Sequence, residues 1–384
     1  MRNRSLITTP PGHFEWVDIP VPQPGPEEVV IRSRFGTIKH GTEFSMVKGT
    51  ASDRGPWDRK LQLHKSPEGH EGFENSGKSA GQDVPTRSFK SQGQAFSVGN
   101  MIYGEIVSTG EAVRDFQIGD LVYGYSPFAH YAAVSQNRIW KLPDVDWRTA
   151  LCLDPARFAL AAVRDAQLRI GDSLAVFGLG AIGLLCVQLA RMAGADGIIG
   201  IDPIPARRAA ALRMGASLCL DPAAPSSFVL PQGSAESETK SEGDTGRSMK
   251  IYTGGLGVDA VIELSGAATA LQAALRGVAF GGTVVCAAFP APYPAGLDFG
   301  AEAHMNRPQI VFSRAVSDPN RDHPRWDSGR IEKYCRSLIA EEKLEGTGII
   351  DKVVAYDTLK EEYRQAMDSP STVIKLGVDF ENGS

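Results

Sequence analysis

One glycine pattern limits the fold of this chain more than any other feature of its sequence. Gly178, Gly180 and Gly183 follow the spacing G-x-G-x-x-G, after an apolar run at residues 173–177 and before a helix-patterned run at 182–192. The first glycine permits a tight turn, the second lets the backbone approach a pyrophosphate, and the third lets the helix pack close to the sheet. A strand that turns in this way into a helix is typical of a parallel α/β sheet, and the helix N-terminus offers free N–H groups to phosphates. The pattern therefore predicts a dinucleotide site.

An acidic residue supports the same site. Asp202 ends the next predicted strand, 198–201, 24 residues after Gly178. A carboxylate at that point fits hydrogen bonds to the adenosine ribose hydroxyls and repels a 2′-phosphate, which favours NAD over NADP. Arg207 and Arg208 weaken that preference, because arginine accommodates a 2′-phosphate. The alternative is a structural glycine turn with Asp202 as a helix cap, but strand, glycines, helix and acid all agree with the dinucleotide site.

The rhythm of predicted elements changes near residue 156. Before it, short strands separated by proline and glycine predict a β-rich domain, and after it strands and helices alternate as in βαβ units. The predicted elements of the second half are strands 173–177, 198–201, 258–264 and 283–288, helices 182–192, 206–214 and 267–276, and, in the tail, helices 331–341 and 359–367 and strand 373–378. We therefore expect a doubly wound parallel sheet at 156–315, with a Ser/Glu/Gly-rich insertion at about 225–249. A β-rich domain is expected from 1–155 and 316–384.

Composition excludes several classes of protein. The 384-residue chain has a net charge of -5, 42% hydrophobic residues and no run of 18 apolar residues, so nothing favours nucleic acid, an anionic membrane or a spanning helix. Its five cysteines form no C-x-x-C pair, which argues against a disulfide framework and a cysteine-rich zinc site. No apolar segment follows the N-terminus, and a cytoplasmic location is the expectation.

Three short motifs add a family resemblance to the glycine turn. They are 104–107 (Gly-Glu-Ile-Val), 119–124 (Gly-Asp-Leu-Val-Tyr-Gly) and 257–263 (Gly-Val-Asp-Ala-Val-Ile-Glu). Over nearly its whole length the chain resembles the medium-chain dehydrogenase/reductase superfamily of zinc-type alcohol dehydrogenases. Residues 161–166 and 313–327 resemble its bacteriochlorophyllide dehydrogenase-like branch. The resemblance implies a Rossmann domain joined to a GroES-like catalytic domain, and hydride transfer to or from a nicotinamide.

The resemblance also implies roles for residues around the cofactor. Residues 178–183 would bind pyrophosphate, and Asp202 and Arg207 would contact the adenosine ribose. Ser265 and Gly266 would lie near the cofactor. Ala287, Phe289 and Phe312 would meet the nicotinamide carboxamide. These residues are Gly178, Leu179, Gly180, Ala181, Ile182, Gly183, Asp202, Arg207, Ser265, Gly266, Ala287, Phe289 and Phe312.

The zinc ligands of the family are not retained. His40 stands where the family has a cysteine, Asn100 where it has a histidine, and Asp154 lies in the third ligand region. Residues 126–131, where a structural zinc lobe would begin, contain no cysteine. Because asparagine is a poor zinc ligand, we expect no zinc. The triplet Gly-His-Glu at 69–71 has the same residues as the family's metal-binding motif. In the family, however, a strand follows this motif directly, and here that strand starts near residue 103. We therefore expect the triplet to lie in a solvated loop.

Without zinc, a side chain must manage the proton of the substrate hydroxyl. The candidate catalytic residues are Lys39, His40, Thr42, Glu43, Asn100 and Asp154. His40 needs the least tuning, since the pKa of histidine lies near neutrality. Lys39 needs a downward shift of its pKa, which desolvation can provide.

Our hypothesis is that His40, with Thr42 as relay and with Asp154, transfers the proton. Lys39 or Asn100 would then hydrogen-bond the substrate oxygen. The alternative for His40 is a hydrogen-bonded core histidine, and for Lys39 a solvated charge at the end of a strand. Glu43 fits a capping or ion-pairing role more often than a catalytic one.

A polar segment bears on the substrate. Residues 306–308 and 313–326 are rich in hydrogen-bond donors and follow the last predicted strand of the parallel sheet. They favour a polyhydroxylated or anionic substrate such as a sugar, cyclitol or polyol, with Trp57, Arg59 and Lys60 closing the other side. The alternative is a salt-bridged interdomain surface.

These observations predict an NAD-dependent, zinc-independent dehydrogenase that acts on a polar secondary alcohol or ketone. Two other functions stay open: an NADPH-dependent enoyl or quinone reductase, against which Asp202 argues, and a non-catalytic NAD-binding sensor or structural protein. Relatives dimerise by pairing the last strand of the sheet, here about 309–313, across a two-fold axis. A homodimer or homotetramer is therefore expected.

Overall fold

The computed structural model describes most of the chain. The described residues are 3–9, 11–49, 57–58, 60–61, 63–64, 95–224, 226–228, 239–241, 244–290, 292–293, 296–314 and 320–382. Arg59, the triplet 69–71, most of the predicted insertion and residues 315–319 lie outside them. The predictions for those residues are not taken further.

The elements are numbered along the chain. The strands are β1 (Arg4–Thr9), β2 (His13–Asp18), β3 (Glu28–Thr37), β4 (Trp57–Asp58), β5 (Leu63–His64), β6 (Phe96–Ser97), β7 (Met101–Thr109), β8 (Leu121–Tyr125), β9 (Tyr131–Ser135), β10 (Ile139–Lys141), β11 (Leu174–Phe177), β12 (Ile198–Ile201), β13 (Leu218–Leu220), β14 (Ser226–Phe228), β15 (Thr239–Ser241), β16 (Val258–Glu263), β17 (Val278–Cys286), β18 (Gln309–Phe312), β19 (Lys352–Ala355) and β20 (Leu376–Asp379). The helices are α1 (His40–Val47), α2 (Trp147–Ala150), α3 (Leu153–Asp165), α4 (Ala181–Met192), α5 (Pro205–Arg213), α6 (Thr245–Tyr252), α7 (Ala268–Gly277), α8 (Glu302–Asn306), α9 (Ser328–Ala340) and α10 (Leu359–Asp368).

The predicted parallel sheet is present. Six strands lie in the order β13-β12-β11-β16-β17-β18, and every neighbouring pair is parallel. This order is that of a doubly wound dinucleotide-binding sheet. The predicted strands and helices of this part occur within a few residues of their expected ends, except that β17 begins five residues earlier. The α/β fold with a Rossmann sheet and a second, β-rich part is therefore confirmed.

The β-rich part is built on a mixed sheet of seven strands. Its order is β10-β8-β7-β3-β20-β19, and β9 also pairs with β3. A smaller sheet, β2-β1-β6, lies beside it. β20 comes from the C-terminus and pairs antiparallel with β3, with Gly377 opposite Thr37. This pairing brings the last strand of the chain next to the segment that leads into α1.

The predicted strand at 373–378 is displaced, because a side chain holds its first residues outside the ladder. Asp351 Oδ1 accepts hydrogen bonds from the N–H groups of Ile374 (2.9 Å) and Lys375 (3.2 Å). Regular pairing therefore begins at Leu376. The exact domain boundaries stay a prediction, and the second of them falls among residues that the structure does not describe.

Helix α3 connects the two sheets. Its buried residues join a core cluster that includes Met101 and Tyr103 from β7, Leu184 from α4 and Ile262 from β16. The first turn of α3 therefore reaches the β-rich part while its later turns pack on the Rossmann part. Within the described residues, no helix is long and apolar enough to cross a membrane.

Candidate active site

The glycine turn after β11 has the geometry that its spacing predicts. Gly178 has φ +89°, and a Cβ there would lie 3.0 Å from the N atom of Ser265. A Cβ on Gly183 would lie 2.0 Å from the carbonyl oxygen of Gly178, so only glycine fits. A Cβ on Gly180 would meet nothing within 4 Å. The turn is thus open at Gly180, immediately before α4, where helix N–H groups attract phosphate.

Asp202 ties the end of β12 to this turn. Its side chain is almost fully buried, and its Oδ2 accepts a hydrogen bond from the N–H of Leu179 at 2.8 Å. Its Oδ1 accepts one from the N–H of Ile204, also at 2.8 Å. A carboxylate has about four lone-pair sites, so acceptor capacity remains for ribose hydroxyls.

The two arginines beside Asp202 are both engaged within the protein. Arg207 Nη2 donates to the carbonyl oxygen of Pro370 at 2.9 Å. Arg208 Nη1 donates to the carbonyl oxygen of Asp202 at 2.7 Å and lies 3.1 Å from Asp221 Oδ2. Each guanidinium is therefore partly neutralised or occupied before any nucleotide binds.

Glu263 is a residue that the sequence reasoning missed at this edge of the sheet. It ends β16, is fully buried, and accepts hydrogen bonds from the N–H of Ser265 (2.7 Å), the hydroxyl of Ser265 (2.5 Å) and the N–H of Gly266 (3.0 Å). Burial raises its pKa, although these hydrogen bonds act in the opposite direction. Glu263 thereby shapes the loop at Ser265 and Gly266, and its own position at a strand end in Val-Ile-Glu was the available signal.

The three residues expected at the nicotinamide differ in exposure. The N–H of Ala287 donates to the carbonyl oxygen of Glu263 at 2.9 Å, so its own carbonyl is the group left for a ligand. The side chains of Phe289 and Phe312 are 63% and 80% exposed. Their predicted contacts run through backbone groups, which exposure of the rings does not affect.

Lys39 and Asp154 form an ion pair in the region where zinc enzymes of the family bind metal. Lys39 lies just before α1 and Asp154 in the first turn of α3, and Lys39 Nζ is 3.1 Å from Oδ1 and 3.0 Å from Oδ2. The ammonium also lies 4.4 Å from the ring centre of Phe158. Burial alone would raise the pKa of Asp154, but Lys39 and, more weakly, Lys375 and Arg157 hold it below its usual range. Asp154 is nearly buried, whereas Lys39 stays 27% exposed.

His40 does not fit the proton-transfer role predicted for it. Its Nε2 accepts a hydrogen bond from the N–H of Leu376 at 3.0 Å, and its ring stacks on Phe44. Burial, with the charges of Lys375 and Arg207, lowers its pKa to about 3. The basic nitrogen is therefore occupied and the ring stays neutral near pH 7. The alternative of a hydrogen-bonded core histidine describes this residue better.

Glu43 does not fit a catalytic role either. It is 1% exposed, and its carboxylate accepts hydrogen bonds from the N–H of Gly99 (3.1 Å), the hydroxyl of Tyr363 (3.0 Å) and the N–H of Lys39 (3.4 Å). These bonds hold the first turn of α1 against Gly99 and helix α10. Thr42, by contrast, is exposed on the first turn of α1, where a relay hydroxyl remains accessible.

Asn100 lies next to this cluster. Its N–H donates to the carbonyl oxygen of Thr37 at 3.1 Å, two residues before Lys39. Within the part of the chain that the structure describes, its Nδ2 group is buried without a hydrogen-bond partner. An unmet buried N–H group is costly, which makes it a candidate donor to a ligand oxygen.

Lys375 is a second missed residue. It lies just before β20, its side chain is 3% exposed, and its Nζ donates to the carbonyl oxygen of Ile38 at 2.6 Å. Burial lowers its pKa, while the thiol of Cys152 and the carboxylate of Asp154 act against that shift. The only signal in the sequence was one lysine inside an apolar strand, Thr-Val-Ile-Lys-Leu-Gly-Val.

The residues at this position do not fit a zinc ion. Zinc prefers cysteine, histidine and carboxylate ligands in a tetrahedral arrangement. Here the Nε2 of His40 is occupied by a backbone N–H, the carboxylate of Asp154 by the ammonium of Lys39, and Asn100 offers an amide. An ammonium in contact with the Asp154 carboxylate opposes a second cation there. Among the described residues, no three His, Cys, Asp or Glu side chains group as metal ligands do.

The polar segment after β18 lines a cleft of about 250 Å³ against the end of α3. Its charges are largely paired with one another. Arg164 pairs with Asp322, and Arg321 Nε lies 4.0 Å from Asp165 Oδ1. Arg164 and Arg330 lie over the ring of Trp326, 3.9 and 4.2 Å from its centre. Both expectations for this segment thus have support, a polar cleft and a salt-bridged surface.

Comparison with known proteins agrees with the fold and identifies the family. The zinc-binding dehydrogenase family model matches residues 181–321. D-guloside 3-dehydrogenase of Escherichia coli (strain K12) is 39% identical over 363 residues, which cover 92% of this chain and 93% of that protein. The crystal structure of 2R,3R-butanediol dehydrogenase from Bacillus subtilis has a TM-score of 0.69 at 20% identity and covers 98% of this chain and 99% of that chain. A structure from Sinorhizobium meliloti 1021, described as a zinc-binding dehydrogenase bound to NADP, has a TM-score of 0.69 at 19% identity, with 99% of each chain covered.

The fold, the glycine turn and these relatives define an oxidoreductase that acts on CH–OH groups with a pyridine nucleotide. The chain belongs to the medium-chain dehydrogenase/reductase superfamily, the zinc-type alcohol dehydrogenase-like proteins. Its assignment to the bacteriochlorophyllide dehydrogenase-like branch stays a prediction.

Proposed function

We propose that this chain is an NAD-dependent dehydrogenase that oxidises one secondary hydroxyl of a sugar, cyclitol or polyol without zinc. The observation that carries the proposal is the Lys39–Asp154 ion pair, and it is supported by the unpartnered amide of Asn100, whose backbone pairs with the segment before Lys39. Together they offer a substrate oxygen a cation, a neutral donor and an anion that orients the cation. These are the means of control over a hydroxyl proton that zinc otherwise supplies.

The cofactor is held by the glycine turn. Residues 178–183 and the N-terminus of α4 receive the pyrophosphate, and Asp202 receives the adenosine ribose. Asp202 favours NAD, and the internal bonds of Arg207 and Arg208 leave little free positive charge for a 2′-phosphate. When bound, the nicotinamide supplies a hydride acceptor.

The protein residues then manage the oxygen of the substrate. The Nδ2 group of Asn100 and one N–H of the Lys39 ammonium donate hydrogen bonds to the substrate oxygen. The other N–H groups of Lys39 bind the Asp154 carboxylate, which fixes the position of the ammonium. In oxidation, Lys39 passes one of its protons to the Asp154 carboxylate and takes the hydroxyl proton, as the hydride leaves the carbon that bears the hydroxyl. In reduction, the Lys39 ammonium returns a proton to the carbonyl oxygen. Thr42 relays that proton to solvent, and its exposure on the first turn of α1 supports this role.

The substrate class rests on two supports. The name of the E. coli relative specifies oxidation at carbon 3 of a guloside, a secondary hydroxyl on a polyhydroxylated ring. The cleft that includes Asn320, Arg321 and Asp322 is rich in hydrogen-bonding groups. A polyhydroxylated ring matches such groups better than an alkyl chain does.

We further propose a dimer that pairs β18 across a two-fold axis. β18 is the outermost strand of its sheet, and Ile310 and Phe312 expose apolar side chains there. An apolar edge of this kind requires cover. Light scattering on the purified protein would show twice the monomer mass, and a monomer would contradict this part of the proposal.

The experiment for the function is a substrate panel read by NAD reduction. Glycosides, free sugars, cyclitols, polyols and simple alcohols are each supplied with NAD and with NADP. We expect turnover on a polyhydroxylated secondary alcohol with NAD preferred. Activity restricted to enones or quinones with NADPH would favour a reductase, and tight NAD binding with no turnover on any compound would favour a non-catalytic role.

A further inference from the structure

A buried lysine near a carboxylate requires an explanation, because an uncompensated charge in the interior is strongly destabilising. Lys375 has its ammonium inside the protein, with one hydrogen bond to the carbonyl oxygen of Ile38. The charged groups that act on it are two carboxylates, Asp154 and Glu43, and one ammonium, Lys39. With Lys375 charged, the four groups sum to zero; without it, the cluster carries an excess negative charge.

Hydrogen bonds at the start of β20 place Lys375 beside the segment that leads into α1. β20 pairs antiparallel with β3, and Gly377 faces Thr37. Just before this pairing begins, Lys375 Nζ donates to the carbonyl oxygen of Ile38 at 2.6 Å, and the N–H of Leu376 donates to Nε2 of His40 at 3.0 Å. The two lysines therefore lie on neighbouring segments, and the charges of both act on Asp154. Asp351 holds the backbone of Lys375 in place.

We infer that Lys375 is a positioning residue whose buried charge keeps Asp154 ionised and bound to Lys39. This inference rests on the proposed function, in which that ion pair orients the group that handles the proton. Lys39 and Lys375 then place positive charge around the Asp154 carboxylate. In zinc enzymes of this fold, the metal provides the positive charge at this position. Lys375 itself is too deeply buried to touch the substrate.

A double-mutant cycle tests the inference. Lys375→Met, Asp154→Asn and the double variant are compared with the parent enzyme for kcat and KM. We expect Lys375→Met to lower kcat by about tenfold to hundredfold in the parent and by less than about threefold in the Asp154→Asn background, since coupled residues are non-additive. The KM for NAD should change little. Equal losses in both backgrounds, or a loss confined to the KM for NAD, would overturn the inference.

Lys352→Met is the matched control. Lys352 lies on the adjacent strand β19, and its Nζ pairs with Glu362 at the partly exposed surface. Its replacement should leave kcat at the parent value. If Lys375→Met does not fold, Lys375→Gln replaces it in the cycle.

The same cycle in thermal unfolding separates this inference from the proposed function. If Lys375 compensates Asp154, the double variant is more stable than the sum of the single losses, because each single variant leaves one buried charge unmatched. Additive losses would overturn the inference even if the enzyme oxidises sugars as proposed. Non-additive stability without turnover on any substrate would overturn the proposed function and leave the charge pairing intact.

Discussion

The turn after β11 and the cluster around Asp154 reach their geometry by different routes. The turn is made by backbone: three glycines within six residues leave no room for a Cβ at Gly183 and adopt a positive φ at Gly178. The cluster is made by side chains from distant segments, as in the pair of Lys39 with Asp154, 115 positions apart. One site is encoded locally, and the other depends on how α1, α3 and β20 pack together.

The largest effect should come from the cluster. Lys39→Met removes the ammonium that Asp154 orients, and we expect kcat to fall by about 10²–10⁴-fold, the usual contribution of a general acid or base. NADH affinity, measured by fluorescence titration, should stay at the parent value. A variant with near-parent kcat would remove Lys39 from the mechanism.

His40→Gln is the control for Lys39→Met. Glutamine retains an acceptor for the N–H of Leu376, so we expect kcat within about threefold of the parent, the scale of a tolerated substitution. A loss as large as that of Lys39→Met would restore His40 as the residue that handles the proton.

The second effect belongs to the glycine turn, and two glycines there should respond differently. Gly183→Val places a Cβ 2.0 Å from a carbonyl oxygen, so we expect both a lower unfolding midpoint and a loss of NADH binding of at least about tenfold, since overpacking costs about 1–3 kcal/mol. Gly180→Ala has open space, so the midpoint should hold while NADH affinity falls. Unchanged NADH affinity in both variants would place the cofactor elsewhere.

A smaller effect should appear at Asp202. Asp202→Asn removes the charge that repels a 2′-phosphate, and we expect the preference for NAD over NADP to shrink by about tenfold to hundredfold, where each 1.4 kcal/mol is a factor of ten. The ratio of kcat/KM for the two cofactors is the measurement. An unchanged ratio would assign the discrimination to Arg207 and Arg208 instead.

The smallest effect concerns stability and pH. The folded protein holds the pKa of His40 at about 3, below its ordinary value of 6.5. As pH falls from 6.5 toward 3, the unfolded chain takes up a proton that the folded chain does not, so stability is lost across that window. The urea midpoint of His40→Gln should therefore fall less between pH about 7 and about 4.5 than that of the parent. Equal changes in both proteins would contradict a neutral, hydrogen-bonded His40.

The two sites also differ in what the sequence allowed us to predict. The parallel sheet, its strand positions and the geometry of the glycine turn follow from local patterns, because strand, turn and helix are contiguous. Lys39, Asn100 and Asp154 were identified as candidates, but their arrangement was not. The local sequence does not show that the N–H of Leu376 donates to His40 or that the hydroxyl of Tyr363 donates to Glu43. Nor does it show that Asp154 forms its ion pair with Lys39.

Lys375 and Glu263 show the same limit. Each is a charged residue directly next to an apolar run, where the sequence pattern predicts only a strand. Their burial and their partners arise from the pairing of β20 with β3 and from the loop after β16. A buried charged residue can therefore be identified only when its neighbours in the tertiary structure are known.

The central claim is that Lys39 and Asp154, and not a metal, manage the substrate proton. The most direct measurement is NAD-linked turnover after exhaustive treatment with a strong chelator, with the metal content of the protein determined by mass spectrometry. Our account predicts full turnover at less than about one-tenth equivalent of zinc, since a catalytic metal would be needed in every active site. Loss of turnover that added zinc restores would contradict it.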